Sequence, residues 1–317
     1  MLNQDFLVFT NGVDIVKRYN GTDVVNLSNL PSSGNTICKA LGLLENHLLL
    51  FHTIEGGTTL PQRVRRSDTG DPAEWVTGNA GFDDLLDSED FIVTAEPFGP
   101  YVIIYRERSI NRMSFVGTSD RLFNFETTIT GEGVISLDSV INLGDIHIIF
   151  GNTNFYEYTG GFSLRPVGDE LFDLVFGQSG ELNPSNKNRS LSIYVEELDE
   201  AWFFYPTGQS DSPDRVVRYN VSKRSWVIKR LTDKIVGFGF YQKDASLTWN
   251  DLEGSWIEQT FAWNSKQLLA NAPTIQFCGE SPLQVYEYDF VSVTDDGTDI
   301  TYSLETKDFF DAHKDLR

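Results

Sequence analysis

The sequence predicts an all-β fold, a β-propeller of about six blades with short helices only in insertions, and three observations carry this reading. A pair of short strands recurs six times along the chain. The partner strands begin at Val16, Val64, Ile110, Phe155, Val216 and Val285, so the first three intervals are 48, 46 and 45 residues, a length that suits four short strands and their turns. No stretch holds the i, i+3, i+4, i+7 apolar pattern of a helix through three turns.

Each pair opens with an apolar run ending in an aromatic residue, at 6–9, 48–51, 102–105, 147–150, 201–205 and 274–277. A run that is apolar at nearly every position fits a strand packed on both faces, whereas alternation in the partner strand fits one exposed face. Glycine and proline fall between the runs, as at Gly56, Gly57, Gly160, Gly161, Pro206 and Gly208, and mark hairpin turns. The last two intervals widen to 61 and 69 residues, which places surface insertions at 178–189 and 247–259. Residues 79–92 and 169–178 can each hold one short helix. An alternating strand at 300–306 has no visible partner. The expected organisation is therefore a propeller over 1–290 and a terminal β strand in 291–317 that another element or chain completes.

Composition narrows the function. The 317 residues carry 25 Lys and Arg against 46 Asp and Glu, a formal charge of −21, which disfavours tight, sequence-independent binding to a phosphate backbone. An aromatic content of 13% is enough to offset chain entropy by burial and argues against disorder. Cys38 and Cys278 match neither a disulfide framework nor a zinc pattern, and both are expected as small buried hydrophobes. The first residues lack the basic and apolar regions of a signal peptide, so secretion by that route is not expected. Apolar stretches at 41–51 and 134–150 are broken by Glu45, Asn46, Asp138, Asn142 and Asp145, and no membrane anchoring is expected.

Constellations that carry chemistry are sparse. His47, His52, His147 and His313 do not cluster with Cys at metal-ligand spacing, and the sequence has neither a nucleophile elbow nor a phosphate loop. Gly131-Glu-Gly133 lacks the third glycine of a dinucleotide motif. No cofactor, metal or catalytic residue is expected. Asp83, Asp84, Asp87, Glu89 and Asp90 are the strongest candidates for paired carboxylates, read primarily as a solvated face. The 295–299 segment reads as a β-turn in preference to a calcium loop, and Glu196, Glu197, Asp199 and Glu200 read as a solvated turn. Arg18, Arg66, Arg112 and Arg218 recur at one position of the partner strand and read as structural ion-pair partners or caps on aromatic rings. Tyr19, Tyr158, Tyr219 and Tyr288 recur beside that position.

Four stretches resemble a known family. They are Val64-Arg-Arg-Ser-Asp-Thr-Gly-Asp-Pro-Ala-Glu-Trp75, Val102-Ile-Ile-Tyr-Arg-Glu-Arg-Ser-Ile-Asn-Arg-Met113, the segment from Gly131-Glu-Gly-Val-Ile-Ser136 to Leu143-Gly-Asp-Ile-His-Ile-Ile-Phe-Gly151, and Asp214-Arg-Val-Val-Arg-Tyr-Asn-Val-Ser-Lys-Arg-Ser-Trp226. Together, and in this order, they are similar to the β-propeller tail proteins of short-tailed bacteriophages, which form the nozzle or hub below the portal and adaptor. The resemblance implies a structural, non-enzymatic virion protein, made and assembled in the host cytoplasm, that joins copies of itself in a closed ring of about six. It also implies portal-adaptor and other tail proteins as partners, and genome DNA that passes without tight binding. Larger members continue beyond the equivalent of 304–309 into further β elements.

An acidic wall suits such a conduit, because it leaves phosphate hydrated and mobile, and the cluster at 83–90 is a candidate for the lumen or the surface. The alternative is a carbohydrate-binding or carbohydrate-hydrolysing propeller. There Trp75, Trp202, Trp226, Trp249, Trp256 and Trp263 would stack on sugars and the 83–90 acids would act on the glycosidic bond.

Overall fold

The structure, a computed structural model, describes residues 7–118, 121–241, 274–280, 283–288, 294–295 and 298–299. Apart from one two-residue ladder, their strands form six antiparallel sheets in chain order, the arrangement of a six-bladed β-propeller. The first sheet holds β1 (Leu7–Phe9), β2 (Lys17–Tyr19) and β3 (Val24–Asn26). The second holds β4 (Thr36–Leu44), β5 (His47–Glu55), β6 (Thr58–Arg66) and β7 (Gly81–Asp84), and the third β8 (Ile92–Phe98), β9 (Tyr101–Arg106), β10 (Ser109–Phe115) and β11 (Phe123–Thr130). The fourth holds β12 (Val140–Asn142), β13 (His147–Phe150), β14 (Phe155–Tyr158) and β15 (Leu164–Pro166), and the fifth β16 (Leu191–Val195), β17 (Glu200–Tyr205), β18 (Arg215–Asn220) and β19 (Ser225–Arg230). The sixth holds β20 (Ile235–Tyr241), β21 (Thr274–Gly279) and β22 (Val285–Glu287). A two-residue ladder, β23 (Thr294–Asp295) with β24 (Thr298–Asp299), brackets the turn expected at 295–299.

All six expected strand pairs are present as neighbouring antiparallel strands, the second and third strands in sheets two to five. Why the first member of each pair is continuously apolar follows from strand periodicity, which sends alternate side chains to opposite faces. In β5, Leu48 and Leu50 pack with Val16, Leu27 and Cys38 towards the first sheet, while Leu49 and Phe51 pack with Val102, Ile104 and Met113 of the third. Across β9 the next residues, Ile103 and Tyr105, meet Ile149 and Tyr158 of the fourth sheet. In β13, Ile148 and Phe150 turn the other way, to Ala201, Phe203 and Tyr205 of the fifth. Each such strand is thus shared between two interfaces, and full burial of each side chain contributes about 1.5–3 kcal/mol.

First strands of neighbouring sheets approach one another, β4 with β8, β8 with β12 and β12 with β16, so they are the inner strands and the fourth strands are the outer ones. Among the described residues helix is confined to a 3-10 turn at Asp169–Leu171 running into α1 (Phe172–Val175), inside the expected 169–178, and to single 3-10 turns at Lys187–Arg189 and Glu196–Leu198. The helix expected within 79–92 is absent. Gly81–Asp84 is strand instead, because Asp83 and Asp84 register against Val64 and Arg63 of β6 and complete the second sheet.

Two compact units divide the chain, Met1–Gly237 with Glu280–Pro282, and Phe238–Gly279 with Leu283–Arg317. The boundary expected near 290, the insertion at 247–259 and the strand at 300–306 lie outside the described residues. Cys38 is buried, and that burial pushes its thiol up to about 12. Cys278 is exposed, contrary to expectation: Ile275 and Phe277 take the buried face of β21, so the strand period turns Cys278 outward. Among the described residues no helix is long and apolar enough to cross a membrane.

Candidate functional site

The acids of 83–90 do not converge on one point. Asp83 and Asp84 lie on the outer strand β7, where Asp84 accepts two hydrogen bonds from Arg63, at 2.8 and 2.7 Å, and Asp83 pairs with Arg66. Arg63 also lies 3.8 Å from the Phe82 ring centroid. Asp87 and Asp90 sit on the loop returning to β8 and both reach Arg106, whose side chain is 0% exposed, at 2.7 and 3.0 Å. Arg106 further donates to the backbone carbonyls of Leu85, Ser88 and Asp90, at 3.2, 3.0 and 2.7 Å. Burial acts to raise both acids. Hydroxyl donors, Thr127 on Asp87 and Ser88 and Ser109 on Asp90, outweigh it together with Arg106, and both carboxyls are held below their usual range. Glu89 is exposed. Asp83 and Asp84 are therefore outer-edge residues rather than lumen residues, and Asp87 and Asp90 anchor a loop.

The recurring arginines share one register position, with Arg18 opposite Val8, Arg66 opposite Leu49, Arg112 opposite Ile103 and Arg218 opposite Trp202. Arg112 pairs with Glu126 at 2.5 Å, and Arg218 stands 3.8 Å from Glu200 and 5.2 Å from the Trp202 centroid. In the fourth sheet Glu157 takes the position, opposite Ile148, and its partner is Arg165 at 3.1 Å. The polarity inverts there while the pairing stays.

Two histidines are fixed in the core. His147 is fully buried, its Nε2 3.2 Å from the Pro97 carbonyl and its Nδ1 2.7 Å from the Tyr105 hydroxyl. A carbonyl only accepts, so Nε2 carries the proton and Tyr105 donates to Nδ1. Burial lowers this imidazole to about 4. His47 bonds the Ser67 carbonyl and Thr69. His313 and Trp249, Trp256 and Trp263 lie outside the described residues. Trp75 and Trp202 are 2% and 3% exposed, and Trp226 packs 4.6 Å from the Tyr219 ring centroid, so these three serve the core rather than forming an open sugar platform.

A cavity of about 500 Å³ is lined by β4 and β5, by the start of β8 and by the turns and loops that lead into β10, β12, β14 and β16. Its cations come from separate segments: Lys39 of β4, Arg108 of the β9–β10 turn and Lys187 ahead of β16, with Glu107 as the single acid. Lys39 Nζ donates to the Gly12 carbonyl at 2.8 Å, and Lys187 Nζ to Asn152 Oδ1 at 2.7 Å. His52 enters at a bulge in β5 with a left-handed backbone (φ 51°), and its Nδ1 donates to the Ile92 carbonyl at 2.8 Å. Burial above all, with the Lys39 charge adding to it, holds His52 below the ordinary histidine range. Phe91, Ile92, Val93, Val134 and Ile135 supply apolar wall. Gly133 lets the segment approach the backbone of Arg106 and Glu107, against which any Cβ would collide.

No motif or spacing in the sequence marks Arg106, Arg108 or Lys187 as a site residue. Lys39 carried a signal, as a lone cation on an inner strand otherwise rich in apolar residues. Glu96, on β8, is likewise unmarked; burial first and then the charge of Asp138 push its carboxyl up to about 6, against a hydrogen bond from Asn142. Among the described residues no group of His, Cys, Asp and Glu is placed to hold a metal ion.

No known family model matches the chain, and no curated protein does. Among solved structures, a protein of Bacteroides fragilis predicted to be exported aligns over 75% of this chain and 74% of its own, at 9% identity and a TM-score of 0.41. A likeness this distant carries no argument about function.

Proposed function

We propose that the protein is a structural subunit of a short-tailed bacteriophage tail, a nozzle or hub component that joins copies of itself in a ring on the DNA ejection conduit and contacts the portal adaptor. The observation that carries the reading is the first sheet. Its strands are three residues each, yet on one face Leu7, Tyr19 and Val24, opposite one another across the three strands, remain 63%, 38% and 56% exposed. An exposed row of apolar side chains on a chain of charge −21 is a surface that a neighbouring subunit would cover.

The four family-like stretches support the same reading. They fall on β6 and its following turn, on β9 and β10, on the run through β12 and β13, and on β18 and β19. There Arg65, Arg66, Arg106, Arg112, Arg215 and Arg218 are committed to carboxylates within the fold, as befits a scaffold. The conduit argument draws on the total charge of −21, since Asp83 and Asp84 lie on an outer strand and Asp87 and Asp90 hold Arg106. Size-exclusion chromatography with light scattering tests assembly. The reading expects a ring-sized species, alone or with the adaptor, and a monomer under every condition would overturn it.

A further inference from the structure

We propose that the cavity lined by Lys39, Arg108 and Lys187 binds a small organic anion, a carboxylate or phosphate group carried on an apolar body. The proposal does not depend on the tail reading and goes beyond it. Charge pairing is the first argument. In sheets two to five, Arg63, Arg65, Arg66, Arg106, Arg112, Arg165, Arg215 and Arg218 each have a carboxylate oxygen within 4.0 Å. Lys39, Arg108 and Lys187 pair with no described carboxylate, although acids outnumber bases 46 to 25 in the chain. Three unpaired cations facing one cavity with a single acid create a local positive field in an acidic protein, and an anionic ligand would complete it.

Preorganisation is the second. Each ammonium is already held by one neutral acceptor, Gly12 O for Lys39 and Asn152 Oδ1 for Lys187. An ammonium has three donors, so each keeps two for a ligand without further side-chain ordering. Asn152 is itself fixed, donating Nδ2 to the Glu107 carbonyl at 2.6 Å and its backbone N–H to Glu132 at 2.6 Å. Shape is the third argument. A volume of about 500 Å³ suits a small molecule, and Phe91, Ile92, Val93, Val134 and Ile135 give its body an apolar wall.

Benzoate and phenyl phosphate, with benzyl alcohol as the neutral control, are titrated into the full chain by calorimetry, and a short DNA duplex is added as competitor. The expected result is saturable binding of both anions, at least about tenfold tighter than the alcohol, weakened about five- to tenfold by Lys39→Gln or Lys187→Gln and unchanged by Arg63→Gln on β6, whose guanidinium is not part of the cavity wall. Arg108→Gln guards against a folding artefact, because the Arg108 side chain is exposed and serves no described contact; it too should weaken binding. Equal binding of the alcohol, no binding up to about 10 mM, or indifference to the cavity variants would overturn the proposal. Displacement of the anions by DNA at lower concentration would overturn it in favour of a phosphate-backbone contact.

Discussion

Arg112 and Glu126 stand directly opposite each other on β10 and β11 and pair at 2.5 Å, while one sheet further along the chain Glu157 and Arg165 form the same cross-strand pair with the signs exchanged. What the blade position requires is a complementary pair rather than an arginine. Both Arg112 and Glu126 are partly exposed, at 25% and 42%, so their coupling is worth about 1 kcal/mol or less. Arg112→Glu alone should therefore destabilise the chain through like charge, and adding Glu126→Arg should restore most of the loss in urea unfolding. A double variant no more stable than the single would contradict this.

Arg106 differs because its side chain is wholly buried and its donors satisfy two carboxylates and three backbone carbonyls. Removing one partner of such a network leaves the others without donors. Arg106→Leu should cost about 3–5 kcal/mol and release the 85–90 loop, read as a lower urea midpoint and faster amide exchange there. A cost below about 1 kcal/mol would show that the loop holds without it.

For His147 the folded value of about 4 lies below the ordinary 6.5. Between those pH values the unfolded chain holds a proton that the folded chain does not, so this group makes stability rise with pH across the window and level off above it, by about 3 kcal/mol in all. Unfolding free energies of wild type and His147→Gln, compared from pH 4 to pH 7, should differ most at the neutral end. Identical pH profiles would refute a neutral, hydrogen-bonded ring.

Glu96 acts with the opposite sign. Its folded value of about 6 lies above the ordinary 4.5, so its contribution is free of penalty below pH 4.5 and turns unfavourable as pH rises through 6. Glu96→Gln should accordingly stabilise the chain at pH 7.5, by about 1–2 kcal/mol, and leave it unchanged at pH 4. Destabilisation at pH 7.5 would mean that the carboxylate has a partner it needs.

The blades were legible because β5, β9 and β13 bury both faces, and a run such as Leu48 to Phe51 has no other economical use in a short strand. Its period and aromatic end survive without any knowledge of neighbours. The segment 79–92 misled because acids and apolar residues at Phe82, Leu85 and Leu86 mimic a short helix, while the register with Arg63 and Val64 that makes it a strand lies some twenty positions away. Arg106 could not be read for the same reason, since Asp87 and Asp90 reach it from another loop. The cavity was least visible of all. Lys39, Arg108 and Lys187 become neighbours only once three sheets have formed, and no spacing in the sequence encodes that.

The central claim is that this propeller is a structural part of a tail. Cryo-electron microscopy of purified short-tailed virions assembled in cells that express the chain tests this most directly. The predicted result is propeller density in several symmetric copies about the tail axis, with the sheet face bearing Leu7, Tyr19 and Val24 against a neighbour. Virions that lack the chain, or that hold it with this sheet open to solvent, would contradict the account.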